Sequence, residues 1–411
     1  MARILIAEPH DSGHRARYCY WLAREAISMG HDVTMVTLPK SIENLYYAEL
    51  VISSPSRFRV VGFSGAVFRE VTGGGNLLLL LDEWRYWRWF KLAYDEITRI
   101  GGIDFVVVPY LDYCLHVAGL RGSPFGQTPW TAITMGTSLH RQAFVIGKSP
   151  WGSWIRQELF LRVLKIKSLT RIFTIDEAFN SFVSISQEYS WLKSKVGYLP
   201  DPAELLSLPS LRESRARLGI EDDVFVILVF GSVTLRKGIA QLLSALSTDI
   251  EESDRNVCIL VAGKCDQQVR ELFDQDVGRQ FVARKRLRVI DWYVEPELEA
   301  TVFRASNVVW IGYVNHLGMS GVLVQAGQAG LPVIGPNEGP LSQLISKHGL
   351  GLLVDVSDPD SIRQSLKRFM VDSQFAAECG KHGLEKFQTH SPANFARLIL
   401  ENQANGSLKA Q

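Results

Sequence analysis

Short apolar runs alternate with amphipathic stretches along the whole chain. In the first half, an apolar run at 3–7 is followed by apolar positions at helical spacing, and then by a second run at 32–37. This alternation predicts strand, helix, strand, as at the start of a doubly wound parallel sheet. The further strands predicted in this half are 58–62, 103–109, 131–134, 171–175 and 196–199.

The second half repeats the alternation. Strands are predicted at 224–230, 256–262, 288–291, 308–311, 332–334 and 351–354, and helices at 239–246, 295–305, 322–329, 340–347 and from 360 onward. Two alternating halves predict an α/β protein of two Rossmann-like, doubly wound domains that face each other across a cleft.

The length of the chain also favours two domains, because 411 residues exceed one ordinary domain. A boundary is expected at the Pro200-Asp201-Pro202 turn, where a polar stretch follows the strand at 196–199. We therefore expect an N-terminal domain at 1–202 and a C-terminal domain at 203–389, with a last helix at about 390–411 packing back on the first domain.

A Gly- and Ser-rich turn joins the strand at 308–311 to the next helix. Gly318, Ser320 and Gly321 would allow the backbone to approach an anion, and the first N–H groups of the helix would point at it. The ligand predicted on this basis is the diphosphate of a nucleotide. A plain strand-to-helix turn is the alternative, since many α/β proteins have one.

The loop after the first strand is the second candidate site. His10, Asp11, Gly13 and His14 lie where open α/β sheets bind ligands, at the carboxyl end of a strand. The alternative is that His10 and Asp11 only cap the following helix.

Charge and cysteine content exclude several classes of function. The net charge of +1 argues against a protein that binds nucleic acid through bulk positive charge. Five scattered cysteines without a CxxC pair indicate reduced thiols and no metal cluster. The start MARILIAEP shows no signal-peptide pattern, so a cytoplasmic location is expected.

Two basic and aromatic segments occur in the first half, at 82–100 and 151–167. Residues 1–199 hold 22 Lys and Arg against 17 Asp and Glu, so this part carries +5 and the rest −4. Such helices can contact a membrane surface, here the inner face, whereas aromatic packing inside a large domain is the commoner cause. We favour packing and keep peripheral membrane contact as the alternative.

Several short motifs resemble the retaining glycosyltransferases of the two-domain GT-B fold, in particular the glycogen-synthase-like family four. They are Ser12-Gly13, Gly30-His31-Asp32-Val33, Phe230-Gly231 with Lys237-Gly238, Gly330-Leu331-Pro332-Val333-Ile334, and Gly351-Leu352-Leu353-Val354. The resemblance covers nearly the whole chain through the order and spacing of these motifs.

The resemblance implies a donor site in the second domain. Lys237 would hold the donor's diphosphate and Arg236 would share that role, because fixed cations stabilise the charge of a leaving diphosphate. The nucleotide base would rest near Gly263 and the loop that begins at Asp291. The other expected donor contacts are Gly231, Ser232, Gly318, Met319, Ser320, Gly321 and Gln325.

The chain departs from the family pattern at both of its usual glutamates. Gln325 stands at the second place, where the family bonds the ribose hydroxyls, and His316 or Leu317 stands at the first. An amide can still bond hydroxyls. The candidate catalytic residues are therefore the histidines His14, His140 and His316.

The resemblance implies a metal-independent hexosyltransferase that moves a sugar, with retention, from a nucleotide diphosphate sugar to an acceptor hydroxyl. The acceptor is expected to be a saccharide or lipid-linked, to enter past His10, Asp11 and Gly13, and no cofactor is expected. Two alternatives stay open: a nucleotide-sugar epimerase, and a non-catalytic protein that binds a nucleotide sugar or a partner.

Overall fold

The computed structural model describes residues 1–12, 14–65, 76–135, 153–204, 207–247, 257–316 and 318–407. The chain forms two compact units: unit 1 comprises 1–200 with 392–411, and unit 2 comprises 201–391. Among the described residues, no helix combines the length and the apolar character needed to cross a bilayer.

Unit 1 is built on a sheet of seven parallel strands in the order β3-β2-β1-β4-β5-β6-β7. Its strands carry almost continuous apolar runs, as expected where helices cover both faces of a parallel sheet. Their bounds are Arg3–Ala7 (β1), Asp32–Thr37 (β2), Phe58–Gly62 (β3), Phe105–Val108 (β4), Trp130–Thr134 (β5), Leu169–Thr174 (β6) and Val196–Tyr198 (β7).

The helices of unit 1 include one from the C-terminal end of the chain. In that helix, Phe395 is fully buried, and its ring centroid lies 4.7 Å from that of Tyr18. The bounds are Arg15–Ser28 (α1), Leu45–Ser53 (α2), Asn76–Ile100 (α3), Leu115–Arg121 (α4), Ser153–Leu164 (α5), Glu177–Ile185 (α6) and Pro392–Ser407 (α16).

The aromatic helix α3 packs into the core of unit 1. It begins at Asn76, six residues before the predicted start, because the apolar run before Asp82 continues the helix. Trp89 and Phe90 are fully buried, whereas the Trp84 ring is 39% exposed and carries Arg88 over its face. Aromatic packing therefore accounts for most of this helix.

Unit 2 is built on six parallel strands in the order β10-β9-β8-β11-β12-β13. They match the six predicted strands to within a few residues. Their bounds are Phe225–Phe230 (β8), Val257–Ala262 (β9), Leu287–Ile290 (β10), Val308–Trp310 (β11), Val333–Pro336 (β12) and Gly351–Val354 (β13).

The first helix of unit 2 has clear local signals. Ser210 and Glu213 form a reciprocal capping box at its start, and Gly219 ends it in the left-handed conformation. The helices are Leu211–Leu218 (α7), Ile239–Ser247 (α8), Gln267–Phe273 (α9), Asp276–Ala283 (α10), Pro296–Ala305 (α11), Gly321–Gln328 (α12), Gly339–His348 (α13), Pro359–Val371 (α14) and Ser373–Phe387 (α15).

Each sheet reverses its strand order at one place. In unit 1 the reversal falls between β1 and β4, and in unit 2 it falls between β8 and β11. Loops that leave the carboxyl ends of such neighbouring strands diverge to opposite faces and leave a crevice, where open α/β sheets bind ligands. The prediction of two doubly wound Rossmann-like domains is confirmed, and the topology indicates where each would hold a ligand.

Candidate functional site

The crevice of unit 2 is bordered by two cations from the loop after β8. Arg236 and Lys237 lie in a short 3-10 helix, Leu235–Lys237, that Gly238 ends in the left-handed conformation. This loop is bound to the loop after β11, because Val314 N donates to Arg236 O (2.8 Å) and Trp310 Nε1 donates to Lys237 O (2.9 Å). The two switch-point loops are therefore held as one surface.

Lys237 is buried, although it is a lysine. Its Nζ donates to the carbonyl oxygen of Phe230 and lies 5.4 Å from the centre of the Tyr313 ring. Within the described residues it forms no ion pair with a carboxylate. Burial, together with the neighbouring charge of Arg236, lowers the pKa of Lys237 to about 8. A buried ammonium without a counter-ion is costly, and an anionic ligand would relieve that cost.

Arg236 is exposed and is oriented by His316. The Arg236 Nη1 group donates to His316 Nδ1, and the other ring nitrogen, Nε2, donates to the Met319 carbonyl (3.2 Å). Burial is the main cause that lowers the pKa of His316, in agreement with a neutral ring. Both ring nitrogens thus hold the loop in place, and the catalytic role of His316 stays a prediction.

Helix α12 begins beside this cation pair. Ser320 is its N-cap, is buried, and shares a hydrogen bond with the Tyr313 hydroxyl (3.0 Å). No acidic residue lies in the first turn, so the partial positive charge of the helix start is not offset locally. A carboxylate comes close from elsewhere in unit 2, since Asp201 Oδ2 would lie 3.7 Å from a Cβ built on Gly321. The helix start is therefore near an anionic group in the protein itself.

The predicted glycines around this crevice allow close backbone approach. A Cβ on Gly263 would lie 1.9 Å from the Gly231 carbonyl oxygen, and one on Gly231 would lie 3.3 Å from Lys237 Nζ. Both have positive φ, 139° and 90°. The loops after β8 and β9 thus pack directly against each other next to Lys237. Gly318 lies beside the His316 ring, and Ser232 is exposed.

Two other predicted donor residues bond to protein groups. Asp291 accepts from Arg270 Nε (2.6 Å) and from Cys265 N (2.7 Å), and these bonds hold its pKa below the usual range. Gln325 donates through Nε2 to the carboxylate of Glu299, which α11 carries in a buried position. Glu299 escaped the sequence analysis because it is far from Gln325 along the chain.

The crevice of unit 1 contains a buried acid that the sequence analysis also missed. Glu8 directly follows β1 and is fully buried, and its Oε1 accepts from His10 N (3.1 Å) and from the Tyr113 hydroxyl (2.9 Å). Burial raises its pKa to about 8. The sequence signal was available, since Glu8 and Tyr113 follow the apolar strands on either side of the reversal.

The predicted acceptor residues His10 and Asp11, and the predicted catalytic residue His14, follow this acid in the same loop. His10 Nε2 lies 2.8 Å from the Tyr86 hydroxyl, and burial and the Arg15 cation lower the pKa of His10 to about 4. The same two causes lower the pKa of His14 to about 4, so both rings are neutral at pH 7. Asp11 accepts from Ser41 Oγ and Asn44 Nδ2, both at 3.1 Å. Gly13 and His140 lie outside the described residues.

A metal centre has no obvious ligand set in the described ranges. Across them, no three His, Cys, Asp or Glu side chains converge. The five cysteines are all buried and unpaired.

Most of the second unit matches a model of a known protein family. Residues 211–386 match the family model described as "Glycosyl transferases group 1". The chain is also similar to the D-inositol 3-phosphate glycosyltransferase of Paenarthrobacter aurescens, with 29% identity over 197 residues, 46% of this chain and 46% of the relative. The chain spans less than half the length of the curated relatives it matches. The matched residues lie within unit 2 and make up less than half of the chain.

Solved structures extend the likeness to both units. The sucrose-phosphate synthase of Thermosynechococcus elongatus aligns over 100% of both chains with a TM-score of 0.68 and 17% identity. HepE of Anabaena, solved in complex with UDP and glucose, aligns over 100% of both chains with a TM-score of 0.65 and 13% identity. The chain has the GT-B fold that these proteins share.

Proposed function

We propose that the chain is a metal-independent glycosyltransferase that moves a sugar, with retention, from a nucleotide diphosphate sugar to an acceptor hydroxyl. The observation that carries the proposal is Lys237, a buried ammonium without a carboxylate partner in the described chain, in the crevice of a group 1 domain. A ligand with two adjacent phosphates suits a site that offers Lys237, Arg236 and a helix start.

The proposed chemistry is leaving-group stabilisation. As the bond from the sugar's anomeric carbon to the diphosphate oxygen breaks, the electron pair stays on the diphosphate. Lys237 and Arg236 stabilise that charge more strongly than the charge of the intact donor. The acceptor oxygen forms the new bond to the anomeric carbon, and its proton passes to the departing diphosphate. This route needs positioning and fixed charge, and no carboxylate base.

The remaining donor contacts follow from the same placement. The backbone of Gly318, Met319, Ser320 and Gly321 faces the phosphates, and the Gln325 amide oxygen accepts from a ribose hydroxyl. Gly231, Ser232, Gly263 and the loop at Asp291 lie toward the nucleotide base. UDP is the first nucleotide to test, because the structurally similar HepE was solved with UDP and glucose.

Acceptor binding is proposed for unit 1, at the crevice that holds His10, Asp11 and His14. The acceptor is a saccharide or a lipid-linked hydroxyl compound.

Product analysis tests this function. The protein is incubated with UDP-, GDP-, ADP-, CDP- and TDP-sugars and an acceptor panel, and the products are separated by mass spectrometry and NMR. A new glycoside that keeps the donor's anomeric configuration, formed in the presence of EDTA, supports the proposal. An epimerised donor without glycoside identifies an epimerase instead. Donor binding without turnover identifies a non-catalytic binding protein.

A further inference from the structure

The crevice of unit 1 contains an arginine whose charge is not neutralised. Arg15 is the first residue of α1, at the edge where β1 and β4 diverge. Its Nη1 donates to Ser12 Oγ (2.9 Å), while its buried Nε has no hydrogen-bond partner within the described residues. Arg15 also forms no ion pair with any described residue. A half-buried guanidinium normally finds an acceptor for each donor, so a donor is available here.

The carboxylates near Arg15 are bound to other groups. Asp11 accepts from Ser41 and Asn44, and Asp112 accepts from Thr134 Oγ1 (2.7 Å) and Met135 N (2.8 Å). Glu8 is fully buried beneath the loop, where burial raises its pKa to about 8, so it is mostly neutral at pH 7. None of these three carboxyl groups forms an ion pair with Arg15 among the described residues, so no carboxylate is paired with its guanidinium.

Two tyrosine rings form a surface next to this charge. The Arg15 guanidinium carbon lies 5.0 Å from the centre of the Tyr110 ring and 5.2 Å from that of Tyr113. Tyr113 stacks on Tyr86 with centroids 4.6 Å apart, and the Tyr86 hydroxyl bonds to His10. Aromatic faces beside hydroxyl and imidazole groups suit a sugar or polyol ring, whose apolar face packs on the aromatics while its hydroxyls bond to polar groups.

We propose that Arg15 binds an anionic group, a phosphate or a carboxylate, of a sugar or polyol that lies against Tyr110 and Tyr113. The assignment of this ligand as the acceptor rests on the proposed function, whereas the anion site does not. The first turn of α1 adds to the attraction, because it contains no acidic residue. A planar guanidinium can donate to both oxygens of either group.

Binding of inorganic phosphate tests the anion site without requiring the right sugar. The titration, followed by ³¹P NMR, uses the full chain with Lys237→Ala, so that the cation of unit 2 does not contribute. Arg15→Gln should weaken phosphate binding about tenfold or more, because a charge-assisted hydrogen bond is lost. The phosphate affinity of Arg15→Lys should lie between those of the parent and of Arg15→Gln, since lysine keeps the charge and loses the planar donor pair.

Arg24→Gln is the matched control. Arg24 lies on the same helix, and its guanidinium also lies over a tyrosine, Tyr20, at 5.2 Å. This variant should bind phosphate like its parent. Equal phosphate affinity in the Arg15→Gln and Arg24→Gln proteins, with both folded by circular dichroism, overturns the proposal. In the protein that keeps Lys237, a loss of UDP affinity on Arg15→Gln as large as the loss of phosphate affinity also overturns it, because the cation would then serve the donor.

Sugar ligands distinguish the two anion chemistries. Glucose 6-phosphate and glucuronate are each compared with glucose by calorimetry. If glucose 6-phosphate or glucuronate binds more tightly than glucose, and Arg15→Gln abolishes that difference, the site is supported and its preferred anion is identified. If both charged sugars bind only as tightly as glucose, the proposed anion site is overturned. Phosphate binding at Arg15 in a protein that transfers no sugar would retain the site and refute only the proposed function.

The pH dependence gives an independent readout. Above pH 8 Glu8 ionises and competes for Arg15, so phosphate affinity should fall between pH 8 and 9.5, while Glu8→Gln should show no such fall. Inorganic phosphate is a dianion throughout this window. If phosphate affinity falls equally with pH in the parent and in Glu8→Gln, Glu8 does not compete with phosphate for Arg15. The other titratable groups that interact with Glu8 are Arg15 and Cys19 on α1, Tyr47 on α2, Tyr86 on α3, Tyr110 and Tyr113 after β4, and His10 in its own loop.

Discussion

The side-chain amide of Gln325 donates a hydrogen bond to the buried carboxylate of Glu299. With Nε2 held in this way, the amide oxygen of Gln325 is oriented as an acceptor. The sequence resemblance to family four implies a glutamate at the position of Gln325. Here a carboxylate comes from the neighbouring helix α11 and is bonded to the Gln325 amide.

Exchanging the two side chains tests this pair. Gln325→Glu alone places two carboxylates in contact, and we expect a stability loss of about 1–3 kcal/mol with weaker UDP binding. The double variant Glu299→Gln/Gln325→Glu restores one amide and one carboxylate, and should recover both stability and affinity. Thermal unfolding gives the stability, and calorimetry the UDP affinity, of the wild type, Gln325→Glu, Glu299→Gln and the double variant. Additive effects in the double variant would show that the two side chains act independently.

The pH dependence of donor binding follows from Lys237. A lysine with a pKa near 8 is charged below that pH, and diphosphate binding favours the charged form. Donor affinity should therefore be constant below pH 8 and should fall above it, by up to tenfold per pH unit, until the pKa of the complex is reached. Lys237→Arg stays charged and should show a flat profile to pH 10. A flat wild-type profile would contradict the role of Lys237.

The turn after Lys237 depends on the absence of a side chain. Gly238 has φ 69°, and a Cβ there would lie 2.1 Å from the Gly312 carbonyl oxygen. Gly238→Ala should therefore cost more than backbone strain alone, roughly 2–4 kcal/mol, and should weaken donor binding.

Gly126→Ala is the control for the previous substitution. Gly126 has φ 58° and open space around its Cβ position, so only about 1–2 kcal/mol of backbone strain is expected. Calorimetric melting compares the two variants. If Gly238→Ala lowers the Tm no more than Gly126→Ala does, the loop accommodates the Cβ without further loss of stability, which contradicts the expectation.

The strands, and the order in which strands and helices follow one another along the chain, could be predicted because they depend on local sequence patterns. Buried parallel strands appear as apolar runs, and glycine or a polar loop marks each carboxyl end. Lys237 was selected through the resemblance of its Lys237-Gly238 motif to the glycosyltransferase family, and the strand pattern alone did not single it out. Helix α3 was predicted too short, because the apolar residues before Asp82 lack the polar face that marks an amphipathic helix.

The partners of the site residues could not be predicted, because they come from distant parts of the chain. Tyr313 beneath Lys237, Glu299 behind Gln325 and Tyr113 on Glu8 are contacts between different elements. Pattern along one segment does not report such contacts. The bonds of His316 illustrate the same limit: its position suggested contact with a ligand, and only the structure places both ring nitrogens on protein atoms.

The central claim is that Lys237 holds the diphosphate of a nucleotide donor. The most direct test is calorimetric titration of UDP, GDP, ADP, CDP and TDP into the wild type, Lys237→Ala and the control Lys367→Ala, which alters an exposed lysine on α14. We predict that one nucleotide binds the wild type and the control alike, and binds Lys237→Ala about 10- to 100-fold more weakly. Unchanged affinity in Lys237→Ala, or no binding of any nucleotide to the wild type, would contradict the claim.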